Sequence, residues 1–229
     1  MKTADTARTT TPRPGLRELK KQRTRDALLR AALELFTTRG FEQTTVDEIA
    51  EAVDVSQRTF FRYFAGKEDA ALFVTRLLHA HYVEAVRERP AHEAPLEALR
   101  RAALESWDTI GEAIERVVPL ELHMRAYRAI ESSPALLAVH LRRSMEVEEE
   151  IARVIAAREG VDVDADPRPR LVVAMFGAVL RVTEQRWSVG EDFSIAAIRD
   201  LTAAHLDQVG PALTGSWRTA GTPERGRET

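Results

Sequence analysis

Cysteine is absent from the 229 residues of this chain, which excludes disulfide bonds, thiolate metal sites and cysteine nucleophiles. No apolar run approaches the length of about 18 residues that a membrane-spanning helix requires, and the polar N-terminus has no apolar segment of a signal peptide. The sequence contains neither the histidine spacing of a zinc enzyme nor an evident nucleophile with its base. We therefore expect a cytoplasmic protein that is not an enzyme, holds no cofactor or metal and does not enter a membrane.

Helical periodicity runs through almost the whole chain. With 44% hydrophobic and 30% charged residues, the chain can bury a core and still present a solvated surface. Apolar residues recur at helical spacing, and no segment alternates as a half-buried strand does. We predict an all-α fold of about nine helices, at residues 19–39, 45–53, 56–64, 67–89, 96–110, 119–130, 134–158, 170–189 and 195–213.

The charges are distributed unevenly, although the net charge is only −3. Residues 1–67 contain 13 lysines and arginines against nine aspartates and glutamates, and the remaining residues contain 20 against 27. A basic N-terminal module on an acidic body suits a module that binds a polyanion. Chance scatter explains an excess of this size equally well, so the charge alone does not decide the function.

Residues 45–67 contain two short helix patterns joined by a very tight link. The first begins with a capping box at Thr45, and Ser56 is the expected N-cap of the second. In the second helix Phe60 and Phe64 lie four residues apart and are predicted to pack inward. This packing leaves a polar triplet at the start of the helix, Gln57-Arg58-Thr59. The arrangement is typical of a helix that enters the major groove of DNA.

The side chains of this segment have the chemistry that DNA recognition requires. Arg58 can form a bidentate hydrogen bond with a guanine edge, and Gln57 can do the same with adenine. Thr59 can contact a phosphate or a thymine methyl group. Thr44 and Thr45, at the start of the first short helix, can donate to a phosphate beside the helix-end amides.

Three blocks within residues 24–73 resemble the N-terminal domain of the TetR family of bacterial repressors. The blocks are Ala31-Ala32-x-x-Leu35-Phe36-x-x-x-Gly40-Phe41, then Thr44-Thr45-Val46-x-x-Ile49-Ala50-x-x-x-x-Val55-Ser56, then Thr59-Phe60-Phe61-x-Tyr63-Phe64-x-x-Lys67-Glu68. The resemblance implies an all-α homodimer with a three-helix DNA-binding domain and a helical ligand-binding and dimerisation domain. It implies a double-stranded DNA operator and a small-molecule effector as partners.

The resemblance also implies which residues contact DNA. The family's contacting positions correspond here to Thr44, Thr45, Gln57, Arg58, Thr59, Phe61, Tyr63 and Lys67. Phe61 replaces the usual tyrosine, so a hydroxyl that commonly reaches phosphate is missing. Tyr63 replaces a frequent histidine and supplies a hydroxyl nearby instead.

The predicted domain organisation follows from the composition and from this resemblance. Residues 1–16 are expected to form a disordered basic arm, and residues 214–229, rich in threonine, glycine and arginine, a disordered tail. Residues 17–66 would form the helix-turn-helix domain. Residues 67–213 would form the ligand-binding and dimerisation domain.

The family motif does not extend into the C-terminal domain, so the effector pocket is predicted from residue types. Aromatic and methionine side chains with a few polar groups suit a largely apolar ligand. Arg128 or Arg181 could bind an anionic or polar end of it. Apolar residues at helical spacing are equally consistent with plain core. The predicted pocket residues are Trp107, His123, Met124, Tyr127, Arg128, Met175, Phe176 and Val179.

The last two long helices, at residues 170–189 and 195–213, are predicted to pair across a two-fold axis and form the homodimer. These observations predict a ligand-responsive homodimeric regulator, most simply a repressor released from a palindromic operator by its effector. The alternative is a helical carrier of a hydrophobic metabolite with weak or non-specific DNA binding.

Overall fold

The computed structural model describes residues 15–215, apart from the side chains of residues 110, 112 and 113. Within that range the chain forms helices and no strands, as predicted. The helices are α1 (Leu16–Thr38), α2 (Val46–Glu51), α3 (Gln57–Phe61), α4 (Lys67–Ala71), α5 (Phe73–Arg87), α6 (Pro95–Glu115), α7 (Leu120–Ser132), α8 (Pro134–Glu159), α9 (Arg168–Ser188), α10 (Ile195–Asp207) and α11 (Val209–Thr214).

The predicted end of the first helix and the predicted starts of the second and third are confirmed, whereas α2 and α3 end at Glu51 and Phe61, two and three residues before their predicted ends. Helix α1 ends two residues before Gly40, whose φ of +94° lies in the left-handed region that favours glycine. The capping box at Thr45 begins α2, and the Ser56 hydroxyl accepts a hydrogen bond from the backbone of Thr59 to begin α3. Between α2 and α3 the chain reverses at Asp54, which adopts φ +55°, a conformation that aspartate tolerates better than most residues.

Two of the predicted helices are broken, which raises the number from about nine to eleven within the described residues. The helix predicted at 67–89 breaks at Leu72, which is buried and has a non-helical ψ of 8°. The helix predicted at 195–213 breaks at Gln208. Pro211 explains this second break, because its ring would clash with the carbonyl of Asp207 and it has no N–H to donate there. It is accommodated in the first turn of α11.

Helix α1 begins at Leu16, within the segment predicted as a disordered arm, and α11 ends at Thr214, the first residue of the predicted tail. Residues 1–14 and 216–229, which contain the rest of both predictions, lie outside the described residues. The domain boundary at residue 66 stays a prediction. One apolar cluster contains both Phe60 of α3 and Leu122 of α7, so the two predicted domains share a core.

The C-terminal helices surround a cavity that is partly open to solvent. Helix α6 lies against α5 and α10, and α9 lies against α8 and α10. Helix α7 packs on α1 of the N-terminal domain as well as on α8. None of the helices in residues 15–215 combines the length and apolar character needed to cross a membrane.

Candidate DNA-binding surface and ligand cavity

Helix α3 has one buried face and one exposed face. Phe60 is 0% exposed and Phe64 1%, and their rings lie 5.4 Å apart within a cluster that includes Phe36 and Ile49. The predicted inward packing is therefore confirmed. Gln57 and Arg58 are exposed on the other face, as is Phe61. Phe60 on α3 and Phe64, three residues after its end, hold the helix from its apolar side, and the side chains of Gln57 and Arg58 remain exposed.

The start of α3 is held by hydroxyl groups. The Thr59 backbone N–H donates to Ser56 Oγ at 3.3 Å, and the two hydroxyl oxygens lie 3.0 Å apart. Thr59 is half-buried, so its hydroxyl belongs partly to the helix cap. Since a hydroxyl both donates and accepts, this contact does not prevent Thr59 from meeting DNA.

Arg62, which the sequence analysis did not select, is exposed at the C-terminal end of α3. Its guanidinium carbon lies 4.9 Å from the ring centroid of Tyr63, and its Nη2 donates to the Tyr63 hydroxyl at 3.1 Å. Among the described residues it forms no ion pair with a carboxylate. The sequence signal was available, because an arginine four residues after Arg58 lies on a neighbouring face of a short helix.

The two threonines before α2 are placed differently. Thr44 is 1% exposed, and its hydroxyl donates to the carbonyl oxygen of Gly40 at 2.8 Å. Thr45 is exposed, and its backbone N–H donates to Glu48 Oε2 at 2.8 Å. That hydrogen bond is the main reason why the pKa of Glu48 lies below its usual value. Thr45 is thus at the surface, whereas Thr44 is part of the loop interior.

Lys67, at the start of α4, points back into the connection between α1 and α2. Its Nζ donates to the carbonyl oxygen of Phe41 at 2.9 Å and to that of Thr44 at 3.3 Å. The same atom lies 4.3 Å from the centroid of the Phe41 ring. The structure therefore brings the eight predicted DNA-contacting residues together around α2 and α3, but Thr44 and Lys67 already have partners inside the protein.

A cavity of about 90 Å³ lies between α5, α6, α8 and α9. Two of the predicted pocket residues, Trp107 of α6 and Phe176 of α9, line it. Tyr127 does not line the cavity itself, but its hydroxyl donates to Oε2 of the cavity-lining Glu184 at 3.2 Å. Tyr82, which has no counterpart in the sequence prediction, stacks on Phe176 with the ring centroids 6.1 Å apart.

The other five predicted pocket residues do not line this cavity. Met124 is buried in a separate cluster with Trp187, and Val179 packs against the cluster that contains Phe176 without lining the cavity. His123 and Met175 are half-buried elsewhere on α7 and α9. Arg128 is exposed and lines a surface cleft between α7 and the connection from α1 to α2.

The polar groups of the cavity come from several helices. Arg181 Nη1 of α9 donates to Glu148 Oε1 of α8 at 2.6 Å. A side chain at Gly177 would collide with this carboxylate, so the glycine allows the ion pair to form. Burial raises the pKa of Glu184 to about 7. The Ser106 hydroxyl of α6 is buried with no hydrogen-bond partner among the described residues.

Two histidines form one wall of the cavity. The rings of His79 on α5 and His140 on α8 stack with their centroids 6.4 Å apart. Burial lowers the pKa of His79 to about 4 and also lowers that of His140. Both imidazoles are therefore neutral near pH 7 and can each donate and accept one hydrogen bond.

The comparisons with known proteins agree with this architecture. Residues 28–72 match the family described as "Bacterial regulatory proteins, tetR family", and residues 93–214 match the family described as "MftR C-terminal domain". The chain is 45% identical over 224 residues to the HTH-type transcriptional regulator TcmR of Streptomyces glaucescens, a match that covers 95% of this chain and 99% of the relative.

A second relative is the protein MftR of Mycobacterium tuberculosis. It is 30% identical over 183 residues, covering 78% of this chain and 88% of the relative. Among solved structures, the SmeT–triclosan complex has the same fold, with 17% identity, a TM-score of 0.55 and coverage of 90% of this chain and 100% of that chain. This protein belongs to the TetR family and is a helix-turn-helix transcriptional regulator.

Proposed function

We propose that this regulator is a homodimeric repressor that binds a near-palindromic operator and is released from it by a small, largely apolar effector. The observation that carries the proposal is the two-faced α3, which exposes Gln57 and Arg58 while Phe60 and Phe64 anchor it. A dimer would place one such helix in each half-site, with half-site centres one turn, roughly 34 Å, or a whole multiple of it apart.

Selection of DNA from a random pool tests this function directly. We expect an enriched palindromic sequence that the protein binds far more tightly than its scrambled form. If no sequence is enriched, and binding to DNA depends on salt but not on sequence, the result would instead favour a carrier of a hydrophobic metabolite. In a cell, the proposed function requires the cytoplasm, where the bacterial chromosome is located.

The proposed DNA contacts fall into two groups. Gln57 and Arg58 would contact base edges, and Phe61, which is 51% exposed and apolar, would contact a thymine methyl group. Hydroxyl and guanidinium groups would contact phosphates, which fix the register but carry no sequence information. This second group comprises Thr45, Thr59 and Tyr63 from the predicted set, together with Arg62.

The proposed dimer interface is an apolar stripe along α9. Leu171 is 65% exposed, Val182 57% and Val189 60%, and exposed alanines at 174 and 178 continue the same helical face. The apolar side chains of α10 face inward instead, with Ile198 0% exposed and Leu206 8%. The predicted pairing of the last two long helices therefore relies mainly on α9, with the small exposed residues of α10 beside it. Small residues at these positions let a second copy approach closely.

Replacing Val182 by glutamate is expected to convert the dimer into a monomer, because it places two carboxylates in the centre of an apolar interface. Light scattering should then give a mass near the 25.7 kDa of one chain. The matched control is Leu77→Glu on α5, a residue of 39% exposure outside the stripe. A dimeric Val182→Glu protein would show that another face forms the interface.

The cavity between α5, α6, α8 and α9 is the proposed effector site. Its walls are largely aromatic and aliphatic. Among the described residues that line it, Arg181 alone has a fixed positive charge, and it is paired with Glu148. The cavity of about 90 Å³ is smaller than the roughly 300–1,000 Å³ of typical ligand pockets. A larger effector would therefore bind a conformation in which these helices have separated. If DNA binds this conformation less well, linkage requires that the effector lowers the affinity for DNA by the same factor by which DNA lowers the affinity for the effector.

The proposed route from the cavity to α3 passes through Asp69 of α4. Its Oδ2 accepts a hydrogen bond from the backbone N–H of Ala65 at 3.1 Å, four residues after α3 ends at Phe61. Its Oδ1 pairs with Arg76 of α5 and lies 3.9 Å from Arg143 of α8. Each of these arginines lies one helical turn from a cavity-lining histidine. Separation of α5 from α8 would therefore alter the ion pairs of the Asp69 carboxylate, which binds the segment that follows the recognition helix α3.

Replacing Glu184 by glutamine is expected to change how stability depends on pH. Because burial raises the folded-state pKa to about 7 from the usual 4.5, the carboxyl contributes stability below pH 4.5 that is lost as the pH rises to about 7. Between these values the variant should gain stability relative to the wild type, and the difference should become constant above them. Unfolding by urea at about pH 5 and about pH 8 measures this, with the exposed Glu146→Gln as control. If the difference in stability between Glu184→Gln and the wild type is the same at both pH values, the raised pKa of Glu184 is contradicted.

A further inference from the structure

The ammonium group of Lys67 directs its hydrogen bonds to the protein itself, whereas a lysine that contacts DNA must direct them outward. Three carbonyl oxygens surround its Nζ, those of Phe41 at 2.9 Å, Thr44 at 3.3 Å and Glu42 at 3.4 Å. An ammonium has three N–H donors and no acceptor, so these three carbonyls can use all of them. The face of the Phe41 ring lies against the same charge at 4.3 Å.

The carbonyls that Lys67 binds belong to the short connection between α1 and α2. This connection is tightly folded, with Gly40 at a positive φ and the Thr44 hydroxyl donating to the Gly40 carbonyl. The Thr44 backbone N–H also donates to the carbonyl of Phe41 at 3.3 Å. The connection ends at Thr45, the N-cap of α2. Its shape therefore decides where the exposed N-terminus of α2 lies relative to α4.

We propose that Lys67 is a positioning residue, whose ammonium ties the start of α4 to the connection between α1 and α2 and so places the N-terminus of α2 for DNA. This inference rests on the proposed function and assigns Lys67 a different role from the phosphate contact that the family resemblance implies. To reach a phosphate, the ammonium would have to leave three carbonyl groups and an aromatic face. The partly buried carbonyls of Phe41 and Thr44 would then lose a charged hydrogen-bond donor.

Two substitutions separate the two roles. Lys67→Met keeps the apolar stem and removes the charge, whereas Lys67→Arg keeps the charge but replaces the compact ammonium by a planar guanidinium that does not fit the three-carbonyl site. A positioning role predicts that both variants lose affinity for the selected operator by roughly tenfold or more. A phosphate contact predicts that Lys67→Arg binds almost as well as the wild type.

The salt dependence of operator binding gives a second and independent readout. Removal of one phosphate contact per protomer lowers the magnitude of the slope of log K against log salt by about 0.9, or about 1.8 per dimer. A positioning role leaves this slope unchanged in Lys67→Met. Arg62→Ala is the matched control. Because Arg62 is exposed at the end of α3, its replacement is expected to lower the magnitude of the slope.

Thermal unfolding completes the experiment. A positioning role predicts that the Tm of Lys67→Met falls by several degrees and that operator affinity falls even at temperatures where the protein is fully folded. A lower Tm with unchanged operator affinity would reduce Lys67 to a stabilising residue and overturn the proposal, as would a lower slope with an unchanged Tm. If the wild type binds no operator at all, the proposed function fails. The contact between Lys67 and the connection from α1 to α2 is then tested separately, and an unchanged Tm of Lys67→Met would refute it.

Discussion

Replacement of Arg58 by alanine should abolish most of the operator preference while leaving binding to scrambled DNA almost unchanged. Arg58 is exposed near the start of α3, and no described residue pairs with its guanidinium. A bidentate contact with guanine contributes about 1–3 kcal/mol of discrimination, and a homodimer makes it twice. The expected loss of operator affinity is therefore about 2–6 kcal/mol, a factor of about 30 or more.

Arg62 provides the matched control because it is an exposed arginine of the same short helix. If Arg62 contacts phosphate, Arg62→Ala should weaken operator and scrambled DNA by the same factor and should lower the salt dependence. Competition binding on the selected operator and its scrambled form measures both variants. Equal losses on the two DNA sequences for Arg58→Ala would refute its contact with a base.

The second large effect is expected at Phe60. This side chain is 0% exposed and is in contact with Phe64 and Phe61, at ring distances of 5.4 Å and 5.6 Å. Truncating a buried phenylalanine to alanine costs about 3–5 kcal/mol, because the transfer energy is lost and a cavity remains. Since domains are stable by only about 5–15 kcal/mol, Phe60→Ala should lower the Tm strongly and also release α3 from its support.

Phe61→Ala is the natural comparison, since the two phenylalanines are adjacent and differ mainly in burial. Phe61 is 51% exposed, so its truncation should change stability by no more than about 0.5 kcal/mol. Its effect should appear in DNA binding, at operators with thymine under α3. Thermal unfolding and operator binding of both variants test this contrast. A similar loss of stability in the two would contradict the assignment of a buried and an exposed face.

The DNA-binding segment was predictable because its determinants are local. The capping box at Thr45, the cap at Ser56 and the glycine after α1 act within one helical turn, so their residue types and spacing contain the information. The inward packing of Phe60 and Phe64 follows from their spacing of four. The inward position of the Lys67 side chain was less accessible, because its partners are 23 to 26 residues away in the chain.

Helix lengths and the cavity were harder to predict for a physical reason. The break at Leu72 follows no local signal and depends on the burial of that side chain, whereas the break before Pro211 had a visible cause. Residue types selected Trp107 and Phe176, which line the cavity, but they also selected Met124 and Val179, which do not. Met124 packs in a separate cluster, and Val179 packs against the cluster that contains Phe176. Apolar residues at helical spacing look the same whether they face a cavity or a filled core.

The sequence by itself determined the all-α fold, the family and the two-faced recognition helix, because periodicity, caps and short motifs are properties of neighbouring residues. Only the tertiary structure decided which side chains meet across distant helices. It paired Glu148 with Arg181, brought Tyr127 to Glu184 and stacked His79 on His140. It also turned Lys67 inward to the carbonyls of an earlier loop. Such contacts depend on how whole helices pack, and no local pattern specifies them.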